Sequence, residues 1–263
     1  MSERHAGLPE RRADASSETR VLRRECVDHN NETGRHCAPA GRRDLYEVTV
    51  FIFLLLPALL LPYLTAMRIH AGFTFTAAGT ILHDLAYLCL IAFFLWANGE
   101  PRERVGWVGG QAPREMVLGF WLFLLMTLTA TLIQQAMKAA SIPTPSHPVP
   151  SALIAHTPAG YVLAFILVVV VAVSEETIFR GYLILRLASV TRSRVAAVLL
   201  STAIFSLGHG YEGILGMVAV FFIGLYLAVI YVWRGSLVAP MTIHFLQDFV
   251  GLFGAALSKH LGG

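Results

Sequence analysis

The chain has 263 residues, of which 56% are hydrophobic and only 14% charged, and its mean hydropathy is +0.62. A soluble domain usually carries about 25% charged residues, so an ordinary soluble globule is excluded. The formal net charge is +3; its Arg residues are scattered over a tail and short loops rather than gathered in a stripe, which argues against a nucleic-acid partner.

The charge is unevenly placed. Met1–Asp44 holds nine Arg and eight acidic residues and shows no periodic apolar positions, so a disordered polar tail, 1–44, is expected. No apolar core precedes residue 45, so a cleaved signal peptide is not expected. Cys26 and Cys37 lie in this tail and Cys89 in an apolar run, with no C-x-x-C pair to suggest a disulfide framework or a thiolate zinc site. Asn31-Glu32-Thr33 matches a glycosylation sequon, but the predicted topology puts it on the cytoplasmic side.

The remaining 219 residues resolve into apolar runs of about 20 residues, long enough to cross about 30 Å of hydrocarbon as helices. The expected fold class is all-α, a polytopic bundle of seven membrane helices. The segments are Val48–Met67, with Pro57 and Pro62 as kinks; Phe75–Ala97, with His83 and Asp84; Met116–Met137; Tyr161–Leu187; Val195–Gly210; Ile214–Val232; and Leu237–Leu257. A Pro-rich connection, 142–150, separates the first three, 45–159, from a second group, 160–257. Ten Lys or Arg flank the segments on one side, including Arg102, Arg186, Arg192 and Arg234, against three on the other. The excess puts the N-terminus in the cytoplasm, with the cell membrane as the expected location. Trp107 and Trp121 read as interface anchors.

Three charged residues stand out at the end of an apolar run, Tyr161–Val173, that has none: Glu175, Glu176 and Arg180. An ionised side chain at membrane depth costs on the order of 3 kcal/mol even on lenient insertion scales. Glu176 and Arg180 are four apart on one helix face and can pair; Glu175 sits about 100° round and is left over. Two further i, i+4 pairs lie in separate apolar segments, Phe205 with His209 and His244 with Asp248. In a hairpin turning near Arg192, Glu175 and His209 sit level. His244 is about 10 Å out of step, so either that hairpin projects into the cytoplasm or the seventh segment tilts or shifts. The set offers a general base, a second proton-handling group and polar groups able to stabilise an oxyanion, as water attack on a peptide carbonyl requires. Two imidazoles with carboxylates also suit a divalent metal; composition does not separate the two.

These motifs, Glu175-Glu176-Thr-Ile-Phe-Arg180, Phe205-Ser-Leu-Gly-His209 and His244-Phe-Leu-Gln-Asp248, resemble in order and placement those of the CPBP family of intramembrane proteases. That family includes the type II CAAX prenyl endopeptidases and bacteriocin-processing relatives, and the resemblance covers about 160–255. It implies an endopeptidase working near the cytoplasmic face on protein or peptide substrates, prenylated ones among them, in contact with membrane lipid. Glu175 and His209 would activate water, His244 and Asp248 would hold the oxyanion, and Glu176, Arg180 and Phe205 would support them. Where the family has Asn in place of Asp248, it can donate a hydrogen bond; an ionised Asp248 must be protonated, orient His244 or bind a metal. The glutamate-and-water account, favoured here, needs no cofactor. Zn2+ held among Glu175, His209, His244 and Asp248 is the other option. A non-proteolytic transporter or partner-binding scaffold is the alternative function, with His83 and Asp84 as its best support.

Overall fold

The computed structural model describes residues 40–65, 72–143 and 154–261, with side chains throughout except at 40, 58, 60–65 and 255–261. The chain divides into two units, Met1–Arg43 and Asp44–Gly263. The first falls almost wholly outside the described residues, as do the sequon and most of the Pro-rich connection; the second carries everything below.

Among the described residues every regular element is helical. They are α1 (Ala40–Thr65), α2 (Phe73–Ala97), α3 (Ala112–Ala139), α4 (Pro158–Glu175), a π-helical stretch (Glu176–Leu183), α5 (Ile184–Thr191), α6 (Arg194–Leu207), α7 (Gly213–Arg234) and α8 (Val238–Leu261). This follows from composition, because only a helix or a closed barrel satisfies its own backbone in hydrocarbon. Local chemistry sets the ends. Thr157 caps α4 by accepting from Gly160 N at 3.0 Å, with Pro158 behind it. Arg192 takes a left-handed φ of 56°, and Ser193 then caps α6 by accepting from Ala196 N.

Four stretches are long and apolar enough to cross a membrane: Phe73–Ala97, Ala112–Ala139, Pro158–Thr191 and Gly210–Arg234. They carry the second, third, fourth and sixth expected segments. The first and seventh map onto α1 and α8, whose side chains are described only in part. The fifth does not hold as a full crossing. α6 has 14 residues, about 21 Å, which falls short of about 30 Å of hydrocarbon.

The long rod explains how the chain accommodates so short a helix. α4, the π-helical stretch and α5 run unbroken over 34 residues, about 51 Å if wholly α-helical. Its far end therefore extends past an apolar layer of ordinary thickness, and α6 returns from there. The outer end is held by charge. Arg186, which the orientation count treated as a loop cation, is 1% exposed. Its guanidinium donates twice to Glu100, at 3.0 and 2.5 Å, and its Nε lies 2.9 Å from Glu47 Oε2. Tyr182 OH and Asn98 Nδ2 also donate to Glu47, and Ser189 Oγ donates to Asp44. One buried cation thus ties α1, the end of α2 and the rod together.

Aromatic packing continues inward, with Phe51 between Tyr87 and Tyr182 at ring separations of 5.5 and 4.9 Å. At the turn before α3, Gly106 has φ 84°, and its carbonyl accepts from Leu237 N at 3.0 Å. A Cβ there would stand 2.6 Å from the Tyr231 ring, so only glycine allows this loop to dock on the α7–α8 corner.

Arg186→Ala removes one partner of a buried ion cluster and leaves carboxylates uncompensated, which costs about 3–5 kcal/mol. The expected result is a large drop in the thermal unfolding midpoint in detergent; a midpoint within about 2 °C of the wild type would contradict the role given to Arg186.

Candidate active site

The pitch of the rod changes at the charged motif. Glu176–Leu183 is π-helical and every residue in it is buried. Such wide turns are rare and are found at functional sites. Groups from outside help satisfy the re-pitched backbone: Ser201 Oγ of α6 donates to Phe179 O at 2.6 Å. The expected α-helical face survives in one respect, since Arg180 Nη1 donates to Glu176 Oε1 at 2.9 Å.

Glu176 is not satisfied by Arg180 alone. His244 Nδ1 lies 2.8 Å from the same Oε1. A carboxylate can only accept, so Nδ1 carries the proton and His244 Nε2 is turned away from Glu176. Nε2 faces two carboxylates, Asp248 Oδ2 at 3.4 Å and Glu175 Oε2 at 3.7 Å. One imidazole on α8 thus sits between the two adjacent glutamates. Glu176 has no exposed surface, whereas the side chains of Glu175 and Asp248 are 23% and 33% exposed. The sealed side is structural in character and the open side is accessible.

Phe205 packs at the centre. Its ring is 5.1 Å from Phe179, 4.8 Å from His209 and 6.4 Å from His244, and the Arg180 guanidinium lies over its face at 4.2 Å. A cation held over an aromatic face in a dry setting gains about 2 kcal/mol. Phe179 and Phe205 are both 13 residues from Arg192, so the hairpin register expected from the sequence is the observed one. His209 is not on the helix, however. α6 ends at Leu207, and His209 follows in a tight turn, His209 N bonding to Ser206 O, before Gly210–Glu212. Its Nδ1 is 3.1 Å from Phe205 O, which places that proton on Nδ1 and leaves Nε2 as an acceptor.

The sequence reading missed Gly224. Arg180 Nη2 donates to Gly224 O at 3.3 Å, and a Cβ at this position would stand 2.9 Å from Phe205 Cδ1 and 3.2 Å from Arg180 Nη2. A glycine in the apolar run of α7 was the only signal. Among the described residues no three His, Cys, Asp or Glu side chains are grouped to hold a metal ion. The residues present do not form a ready zinc cage, and no step below runs through one.

Gly224→Val is expected to force Phe205 and Arg180 apart at a cost of about 1–3 kcal/mol, seen as a lowered unfolding midpoint, with Gly224→Ala intermediate. A valine variant as stable as wild type would show that α7 does not press on Phe205 as described.

Residues 157–250 match the family model described as Type II CAAX prenyl endopeptidase Rce1-like. No curated protein and no solved structure matches the chain. The match begins at the Thr157 cap of α4 and takes in all three motifs, leaving α1, α2 and α3 outside it. Over residues 157–250, therefore, this chain of apolar, membrane-length helices is similar to the Rce1-like type II CAAX prenyl endopeptidases.

Proposed function

We propose that the chain is an intramembrane endopeptidase that hydrolyses a peptide bond near the cytoplasmic face of the cell membrane. The observation that carries this reading is the division of labour around His244: Glu176 is sealed against it with Arg180, while Glu175 approaches its other nitrogen from an accessible position. The family match supports protease chemistry in general.

Glu175 takes a proton from a water molecule as that water attacks the scissile carbonyl. His209, its Nδ1 held on Phe205 O, keeps Nε2 free as a second proton acceptor, able to take the proton on from Glu175. Negative charge developing on the carbonyl oxygen is met by the Nε2–H of protonated His244. Asp248, 3.4 Å from that nitrogen, orients the ring. Glu176 and Arg180 fix the imidazole from behind. As the tetrahedral intermediate collapses, the proton taken by Glu175 passes to the leaving amine.

A cytoplasmic N-terminus fits this reading, because four crossings then return the Arg192 end of the rod to the side where prenylated C-termini are found. Substrates are proteins or peptides at the membrane surface, with a prenylated CAAX-type peptide as the first to try.

In liposomes, Glu175→Gln is expected to lower kcat for such a peptide by about 10^2–10^4-fold, and chelation of the wild type is expected to leave kcat unchanged. Full activity in Glu175→Gln would sink the mechanism. Stoichiometric zinc lost together with activity would replace it with a metal-based one.

A further inference from the structure

His83 and Asp84 lie on α2, outside the matched domain, and the mechanism above does not use them. A local hydrogen-bonded pair accounts for only half of Asp84. Oδ1 is 3.2 Å from His83 Nδ1, but Oδ2 is fully buried and has no hydrogen-bond partner. Asp84 as a whole is 5% exposed, although it sits in a span long and apolar enough to cross a membrane. A buried acceptor left unpaired at such a position is costly, so this oxygen calls for a donor.

The packing of α2 on α4 shows where that donor would be. Near their first residues the Phe73 ring abuts Gly160, and near the far end the Phe94 ring stacks on Tyr182 at 6.1 Å. The two helices therefore run parallel and in register. Asp84 is eleven residues past Phe73, which returns it to within about 20° of the Phe73 face. The buried residues Ala77, Asp84, Tyr87 and Ile91 share that face. Glu175 is fifteen residues past Gly160, so Asp84 lies about one turn short of it along the common axis.

Ser174 adds an independent observation. It is fourteen residues past Gly160, within about 40° of the face that meets α2. It has no exposed surface, and its hydroxyl has no hydrogen-bond partner. Glu175 Oε2 likewise makes no hydrogen bond. Three buried polar atoms, from Asp84, Ser174 and Glu175, thus lack partners at the same stretch of one helix seam. A buried water satisfies such groups, typically through about three hydrogen bonds.

We propose that Asp84 is a positioning residue of the site, its inner oxygen holding, with Ser174 and Glu175, the water that Glu175 activates. The first three helices then contribute to the chemistry as well as to the membrane anchor. Asp84 acts by accepting one hydrogen of the water, which leaves the other directed at Glu175 and a lone pair toward the substrate.

This rests on the endopeptidase reading, and the test separates the two. Hydrolysis of a prenylated peptide in liposomes is compared for wild type, Asp84→Asn, Asp84→Glu and Glu175→Gln, with unfolding midpoints. A density map at a resolution that orders waters is obtained for wild type and Asp84→Asn. The expected result is a water within hydrogen-bond distance of Asp84 Oδ2 and Glu175 in the wild type. Asp84→Asn should then lower kcat at least tenfold with KM and the midpoint little changed, and Asp84→Glu should recover part of kcat. An active wild type with an indifferent Asp84→Asn, or a map in which side chains fill this space, overturns the proposal and leaves the endopeptidase reading intact. A loss of kcat matched by a loss of stability, with no recovery in Asp84→Glu, overturns it in favour of packing. A wild type that hydrolyses nothing overturns the endopeptidase reading and the catalytic role of Asp84 with it, and the map alone then decides whether Asp84 binds water.

Discussion

The structure depends on one buried arrangement: Arg180 and His244 both bonded to Glu176 Oε1, with no water-exposed surface on the glutamate. A single charge in that position would cost several kcal/mol. Shared between a cation four residues along the rod and an imidazole on α8, it becomes a crosslink between elements that aliphatic packing alone would let slide. Arg180 extends the link, because its remaining donors and its flat face engage Gly224 on α7 and Phe205 on α6. Four elements are thus fixed relative to a single carboxylate.

That constraint determines what is left for Glu175. Its neighbour in sequence has taken the Nδ1 side of His244, so Glu175 meets the imidazole only at Nε2 and at 3.7 Å, with part of its side chain open. The π-helical pitch begins between the two residues. Adjacent glutamates of identical chemistry are thereby divided into one that holds and one that is accessible. Asp248, on the same side as Glu175, holds the imidazole from the second direction.

Much of this was legible in the sequence, and the reasons are physical. Charges in an apolar run must be satisfied, and spacings of four place partners on one face, so Glu176 with Arg180 and His244 with Asp248 followed from position alone. The hairpin turn at Arg192 was legible from the charged break between apolar runs. Four features were not. The short span of α6 was hidden because an apolar stretch reads alike whether it crosses a membrane or packs on a neighbour. His209 was assigned to the helix because two glycines beside it do not announce a tight turn by themselves. Arg186 was taken for a loop cation, since its partners Glu47 and Glu100 lie 139 and 86 residues away and pattern reading reaches only local spacing. Gly224 was hidden for the same reason: the residues that need its missing side chain are on other helices.

The central claim is the asymmetry between the two glutamates, and a paired measurement tests it most directly. Glu175→Gln and Glu176→Gln are each purified and assayed for the unfolding midpoint and for hydrolysis of a membrane-bound peptide. The account predicts that Glu175→Gln folds with a midpoint near that of the wild type and loses hydrolysis, whereas Glu176→Gln loses stability because Arg180 and His244 are left facing a neutral amide. Equal stability in both variants, or hydrolysis surviving in Glu175→Gln but not in Glu176→Gln, would contradict it.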